Sequence, residues 1–245
     1  MVSELLQVLR EKNVLFHENS GITICRVANK QDGFSLAAEL LYNIVDRRTV
    51  LYLSGGKTPK ELYKNLAKEE KLVCGAVGLI DERYGERYHG NSNEKMIRDT
   101  GLLRYFKILD IPIYPILGGG SRAEIAAEYD ARLRSLHSIF PKHVGILGIG
   151  IDGHTAGLPA GNKVNNLNNL VVEYDDVRKR YGERVTMSFL GLSMLDVLLV
   201  LVFGRTKKQA LEFIFSDGSE DDIPGRFYKR SEIAQRTLLI TDQQI

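Results

Sequence analysis

Residues 144–162 read VGILGIGIDGHTAGLPAGN. An unbroken apolar run leads directly into glycines spaced around Asp152-Gly153-His154, so a buried strand is expected to end in an open, turn-rich loop. Gly148-Ile149-Gly150-Ile151-Asp152-Gly153 matches the GxGxxG fingerprint of dinucleotide folds, and Glu173 stands where a ribose-binding acid would be sought. That fingerprint needs a long helix starting at its third glycine, whereas Gly157, Pro159 and Gly161 follow here. The Asn-rich GNKVNNLNN at 161–169 prolongs the loop. The stretch thus reads as a strand feeding a loop that carries chemistry, with no nucleotide attached.

Outward from it, apolar β-rich runs alternate with helical patterns. Strands are expected at 22–27, 50–54, 77–81, 113–116, 144–148, 170–173, 185–189, 197–203 and 237–241, and helices at 33–45, 59–68, 94–103, 121–139 and 206–215. This alternation predicts an α/β fold, doubly wound and Rossmann-like, with a mostly parallel sheet and helices on both faces. With only 6 prolines in 245 residues and no Ser/Gly/Pro-rich linker, one domain spanning 1–245 is expected. Ligands of such sheets bind beyond the carboxyl ends of the strands, which directs attention to the loops there.

A formal charge of +2 leaves no global field to recruit nucleic acid or a membrane surface, so attraction for anions must be local. Cys25 and Cys74 sit in apolar runs without CxxC spacing, which suits buried thiols in a reducing compartment. The start, MVSELLQVLREKN, is patterned as an amphipathic helix rather than a signal peptide, and the most apolar window, SMLDVLLVLVFG, is too short to span a bilayer. A cytoplasmic protein, monomeric or a small homo-oligomer, is expected.

Three loops gather the candidate chemistry. In LYLSGGKTPKELYKNLA (51–67) a strand meets Gly55 and Gly56, then Thr58 at an expected helix N-cap and Pro59 at the first helical position. Converging backbone N–H groups, the helix's positive end, Lys57 and the Thr58 hydroxyl suit a phosphate. The Walker spacing is absent. In GLIDERYGERYHGNSN (78–93) Arg83 is suited to clamp a phosphate, and Asp81 to accept sugar hydroxyls or orient a neighbour; His89, Ser92 and Asn93 serve to cap the next helix. In the third loop His154, on a glycine-rich turn through Gly153, is a candidate general base whose tautomer Asp152 would fix. No histidine pair has metal-ligand spacing, so no metal is expected. Arg184 and Lys207 add cations at strand ends, whereas Lys179 and Arg180 read as a solvated patch.

Together these segments resemble the 6-phosphogluconolactonases, within the superfamily that also holds the glucosamine-6-phosphate deaminases. That family's pattern runs SGG-x-TP, DER with H-x-x-SN, G-x-G-x-DGHTAS-L, R-[IV]-T and G-x-x-K. Here it is matched in order by Ser54 to Pro59, Asp81 to Arg83 with His89 and Ser92-Asn93, Gly148 to Leu158, Arg184 to Thr186, and Gly204 to Lys207. The resemblance implies hydrolysis of 6-phospho-D-glucono-1,5-lactone, a step of the oxidative pentose phosphate pathway. His154 would activate water, Asp152 would hold the imidazole, and Gly56, Thr58, Arg83, Arg184 and Lys207 would bind phosphate and sugar. No cofactor is implied, and the partner is a small sugar phosphate. Departures are Lys57 for a small hydroxyl residue, Gly157 for serine, Leu158 to Asn162 for L-F-P-G-H, and ERYGERYHG after the acidic pair. The deaminase branch carries DGHIAFNEP and a tyrosine after the acidic pair; Pro159 and Arg83 stand against it. A non-catalytic sugar-phosphate sensor of the regulator type would carry a helix-turn-helix before the domain, and about 20 residues before the first expected strand leave no room for one.

Overall fold

The central strands are apolar without alternation, and they are buried from end to end because helices cover both faces. This is true of β3 (Thr49–Leu53), β4 (Ala76–Leu79), β9 (Val197–Val202) and β10 (Thr237–Thr241), and of the interior of β6 (Lys142–Gly148). With β1 (Phe16–Asn19) and β2 (Ile22–Arg26) they form a seven-stranded sheet in the order β1-β2-β10-β9-β6-β3-β4, parallel except for the β1 edge. The computed structural model describes residues 2–161, 168–174 and 182–245. The patch with Lys179 and Arg180, and residues 162–167 of the Asn-rich stretch, lie outside the described residues.

Helix α1 (Val2–Glu11) packs on α2 (Lys30–Ile44), and α2 on α3 (Lys57–Glu69). From β2 through α2 to β3, and from β3 through α3 to β4, the chain moves toward one edge of the sheet. From β4 to β6, β6 to β9 and β9 to β10 it moves back. Right-handed crossovers therefore put α2 and α3 on one face. They put α6 (Arg122–Ile139), α7 (Phe189–Ser193) and α8 (Lys208–Phe215) on the other. The reversal falls between the neighbours β3 and β6, whose following loops diverge and leave a crevice at their carboxyl ends.

The expected architecture holds, with four local corrections. The run at 77–81 divides: β4 stays in the main sheet, and β5 (Asp81–Arg83) starts a second, antiparallel sheet of order β5-β8-β7 with β7 (Val171–Tyr174) and β8 (Arg184–Met187). The segments at 170–173 and 185–189 thus leave the parallel sheet, and β8 stops at Met187 because Ser188 caps α7 through its hydroxyl. The run at 113–116 makes only an isolated parallel bridge, Ile113 to Val77, because Pro112 and Pro115 have no N–H for a ladder. The helix expected at 94–103 is two, α4 (Asn93–Arg98) and α5 (Leu102–Ile108), separated at Gly101 with φ 90°. Helix α3 begins at Lys57 with Gly56 as its N-cap, ahead of the Thr58 cap and Pro59 start expected from sequence. Gly56 has φ 110°, a value glycine reaches without the Cβ clash that Lys57 or Thr58 would meet. The C-terminal part adds the 3-10 segment Pro224–Lys229 and α9 (Ser231–Ala234).

Candidate active site

The crevice between β3 and β6 opens into a cleft of about 580 Å³. Its walls include Gly55 and Gly56 from the loop after β3, Lys57 and Thr58 from the first turn of α3, Asp81 and Arg83 from β5, His154 from the loop after β6, Arg184 from β8 and Lys207. Three loops and a second sheet, separated by up to about 150 residues in sequence, thus converge on one volume. Among the described residues of the lining, Asp81 is the one carboxylate against four cations, Lys57, Arg83, Arg184 and Lys207.

The start of α3 forms part of the cleft wall. Its N-cap, Gly56, offers no side chain to the first-turn N–H groups, so those donors and the helix's positive end face the cleft. Gly55 is required for packing: an ideal Cβ there would lie 1.9 Å from Asn93 Oδ1. Asn93, expected only as a cap, lines the cleft and donates from Nδ2 to the Asp81 carbonyl at 2.9 Å.

The second sheet explains the DER triplet. Side chains alternate along β5, so Asp81 and Arg83 share a face while Glu82 points the other way. Pairing puts Asp81 opposite Thr186 and Arg83 opposite Arg184, which sets two guanidinium groups side by side. Asp81 Oδ2 accepts from Arg184 Nη1 at 3.0 Å within the buried layer. Burial, together with the Arg184 cation, draws the Arg83 guanidinium below its ordinary pKa, while Asp81 opposes that effect. Arg83 Nη1 donates to the Asn91 carbonyl at 2.6 Å. Since His89 Nδ1 accepts from the Asn91 N–H, its Nε2 donates to the Arg83 carbonyl at 3.0 Å; His89 therefore ties the loop that presents Arg83. Fully buried Glu82 accepts from the backbone N–H groups of Arg83, Asn93 and Glu94 and from the Ser92 hydroxyl, all within 2.9 Å. Burial raises its pKa against those donors. It anchors the first turn of α4 and takes no place in the cleft.

In the loop after β6, His154 Nδ1 meets Asp152 Oδ1 at 2.6 Å on a tight turn closed by Gly150 N–H to the His154 carbonyl at 2.8 Å. The glycine pattern is a turn, not the start of a helix. Gly150 lies so close that an ideal Cβ would be 2.0 Å from His154 Nδ1. Gly153, expected among the substrate contacts, lies behind the turn instead: at φ 82° it faces Ile223, and its carbonyl accepts from Gly225 N–H at 2.9 Å. Asp152 likewise supports His154 without lining the cleft. Lys207 Nζ donates to the Ile149 carbonyl at 2.5 Å; burial lowers its pKa and Asp152 opposes that. Gly157, in place of the serine of the resembled pattern, also has a cause. Its N–H donates to Thr186 Oγ1 at 2.9 Å, and an ideal Cβ would lie 2.8 Å from Thr186 Cβ.

Sequence reasoning missed the 3-10 segment Pro224–Lys229 behind the turn, which carries no motif. Its one local signal, Pro224 near the start of a helical turn, says nothing of what it touches.

Comparison with known proteins gives a consistent set of likenesses. A family model described as glucosamine-6-phosphate isomerases/6-phosphogluconolactonase matches residues 34–238. The chain is 32% identical over 200 residues to a 6-phosphogluconolactonase of Xylella fastidiosa, covering 76% of this chain and 80% of that one. It is 30% identical over 192 residues to one of Nostoc sp., covering 74% and 77%. In fold it resembles the solved 6-phosphogluconolactonase from Plasmodium vivax, with TM-score 0.76, 19% identity and coverage of 97% and 94%.

Proposed function

The chain belongs to the glucosamine-6-phosphate isomerase/6-phosphogluconolactonase family, and from that premise we propose that it hydrolyses 6-phospho-D-glucono-1,5-lactone to 6-phosphogluconate. The observation that carries the reading within the site is the placement of His154, held by Asp152 at 2.6 Å from behind, in the same cleft as the uncapped start of α3 and two arginines. His154 is suited to deprotonate water, and the start of α3 with the two arginines to hold a phosphate dianion.

The Asp152 carboxylate keeps the imidazole proton on Nδ1, so the lone pair resides on Nε2. His154 Nε2 takes a proton from water as the water oxygen attacks the lactone carbonyl carbon. The tetrahedral intermediate then breaks its bond to the ring oxygen, and the imidazolium returns its proton to that oxygen, which leaves as a hydroxyl. The phosphate is assigned to the N–H groups of Gly56, Lys57 and Thr58, with Gly55 allowing their approach, and to the Lys57, Arg83 and Arg184 cations. Asp81, besides holding Arg184, is assigned to sugar hydroxyls. Lys207, near Asp152, adds positive charge where the oxyanion develops. Hydrolysis involves no net oxidation or reduction, and the reading assigns no cofactor or metal.

We assign the whole chain, 1–245, to one catalytic unit acting as a monomer or small homo-oligomer. We place it in the cytoplasm, supported by two buried, unpaired cysteines; subcellular fractionation tests this. No helix of the described residues is long and apolar enough to cross a membrane.

The test is the disappearance of freshly generated lactone, coupled to 6-phosphogluconate dehydrogenase, with the spontaneous rate subtracted. Acceleration that His154→Ala reduces by about 10²–10⁴-fold, with binding of 6-phosphogluconate retained, supports the assignment. Turnover undiminished in that variant overturns the base, and folded protein that never accelerates the reaction overturns the substrate.

A further inference from the structure

The 3-10 segment Pro224–Lys229 reaches the catalytic turn on both sides of His154. Before the histidine, Gly225 N–H donates to the Gly153 carbonyl at 2.9 Å. After it, the hydroxyl of Tyr228 lies 2.5 Å from Thr155 Oγ1. Tyr228 and Thr155 are both fully buried. The direction of that second bond follows from the hydroxyl count. Thr155 Oγ1 has a single proton and donates it to the carbonyl of Gly148, the last residue of β6, at 3.2 Å. Its oxygen therefore accepts, and the Tyr228 O–H donates. The result is a relay, Tyr228 to Thr155 to Gly148, that pins the far end of the turn to the end of the strand from which it departs. Burial of the tyrosine raises its phenol pKa, so the donor keeps its proton across the working pH range.

We propose that Tyr228 is a positioning residue for His154, acting through the Thr155 hydroxyl to hold the imidazole and its Asp152 partner at the reacting distance. The inference rests on the assignment of His154 as the base. Tyr228 has no place in the cleft lining. The Thr155 hydroxyl satisfies the Gly148 carbonyl with or without it, so the tyrosine's polar contribution is to geometry more than to filling an orphaned acceptor. A methyl group at position 155 would remove the acceptor, whereas a serine would preserve it.

Tyr228→Phe keeps the ring and removes the donor. The expected result is a kcat lower by about tenfold, KM for the lactone within twofold of wild type, and a melting temperature close to wild type. Thr155→Val should lower kcat at least as far, Thr155→Ser should recover most of the rate, and the double variant Tyr228→Phe/Thr155→Val should fall no further than Thr155→Val alone. A buried hydroxyl with a merely structural role would lower the melting temperature without this kcat-against-KM split. The inference is overturned if folded Tyr228→Phe keeps wild-type kcat, if the loss appears in KM alone, or if the Tyr228 and Thr155 losses multiply in the double variant. His154→Ala separates the two readings. Turnover lost there with Tyr228→Phe fully active removes only the positioning role. Turnover kept in His154→Ala removes the base assignment, and the positioning role falls with it.

Discussion

Substituting Gly150 by alanine puts one methyl group against the pair on which the mechanism depends. The ideal Cβ lies 2.0 Å from His154 Nδ1, 2.1 Å from His154 Cε1 and 2.7 Å from Asp152 Oδ1, whereas ordinary contact begins at 3.4 Å. The ring edge must therefore withdraw by more than about 1 Å, and the 2.6 Å bond to Asp152 cannot survive in its present place. Gly150 is not among the glycines with positive φ, so alanine meets no backbone strain of its own and the displacement falls on the imidazole. A misplacement of about 1 Å costs roughly 10²-fold when a positioned group must meet a reacting atom, and the whole contribution of a general base is about 10²–10⁴-fold. The expected outcome is a kcat about 10²-fold lower with the folded state intact, because the site of the clash is a partly exposed turn and not the sheet core. Steady-state lactone hydrolysis with the spontaneous rate subtracted measures the loss, and circular dichroism melting verifies folding. A folded Gly150→Ala protein with kcat within about threefold of wild type would refute the role given to the pair.

Two further outcomes are expected. Arg184→Met leaves the Asp81 carboxylate buried without the guanidinium that accepts its charge, so the protein should lose about 3 kcal/mol of stability in denaturant titrations and bind 6-phosphogluconate more weakly; unchanged stability would show the pair to be dispensable. Burial, and then the stacked His143 ring, depress the half-buried His137 from 6.5 to about 4. The unfolded chain thus takes up that proton first as pH falls, and stability present above about 6.5 is lost toward 4. His137→Gln should flatten the difference between pH 7 and pH 5 by about 1 kcal/mol, allowing for solvent screening, and an unaltered pH dependence would sink this account.

The main sheet was legible because its signals are local. An apolar run, a glycine pair and an amphipathic stretch within about 15 residues announce strand, turn and helix, as at 51–67. The second sheet was less so. Strand β5 has three residues and its partner lies about 100 positions away, so nothing near Asp81 tells that the chain has changed sheets. The same distance hid the meeting of Asp81 with Arg184, although both were singled out for their positions at strand ends. Tyr228 gave no signal at all, since a buried tyrosine in a short helical turn has the same sequence appearance whether its hydroxyl is structural or aimed at a catalytic loop.

Alternation explains why Asp81 and Arg83, and not the Glu82 between them, take places in the cleft. Once β5 pairs with β8, Glu82 must face away from the cleft, where its carboxylate gathers four donors and fixes the loop, and Asp81 and Arg83 must face Arg184 and Thr186. That register has a cost, because like charges directly opposite one another on a sheet are destabilising. Asp81 neutralises Arg184 at 3.0 Å, but the buried Nε of Arg83 has no hydrogen-bond partner among the described residues. A fold selected for stability alone would place an aliphatic or acidic side chain at position 83. The phosphate dianion that the proposed function assigns to the cleft would supply the charge that both guanidiniums face, so the pairing that costs the sheet stability is the one the proposed substrate would use.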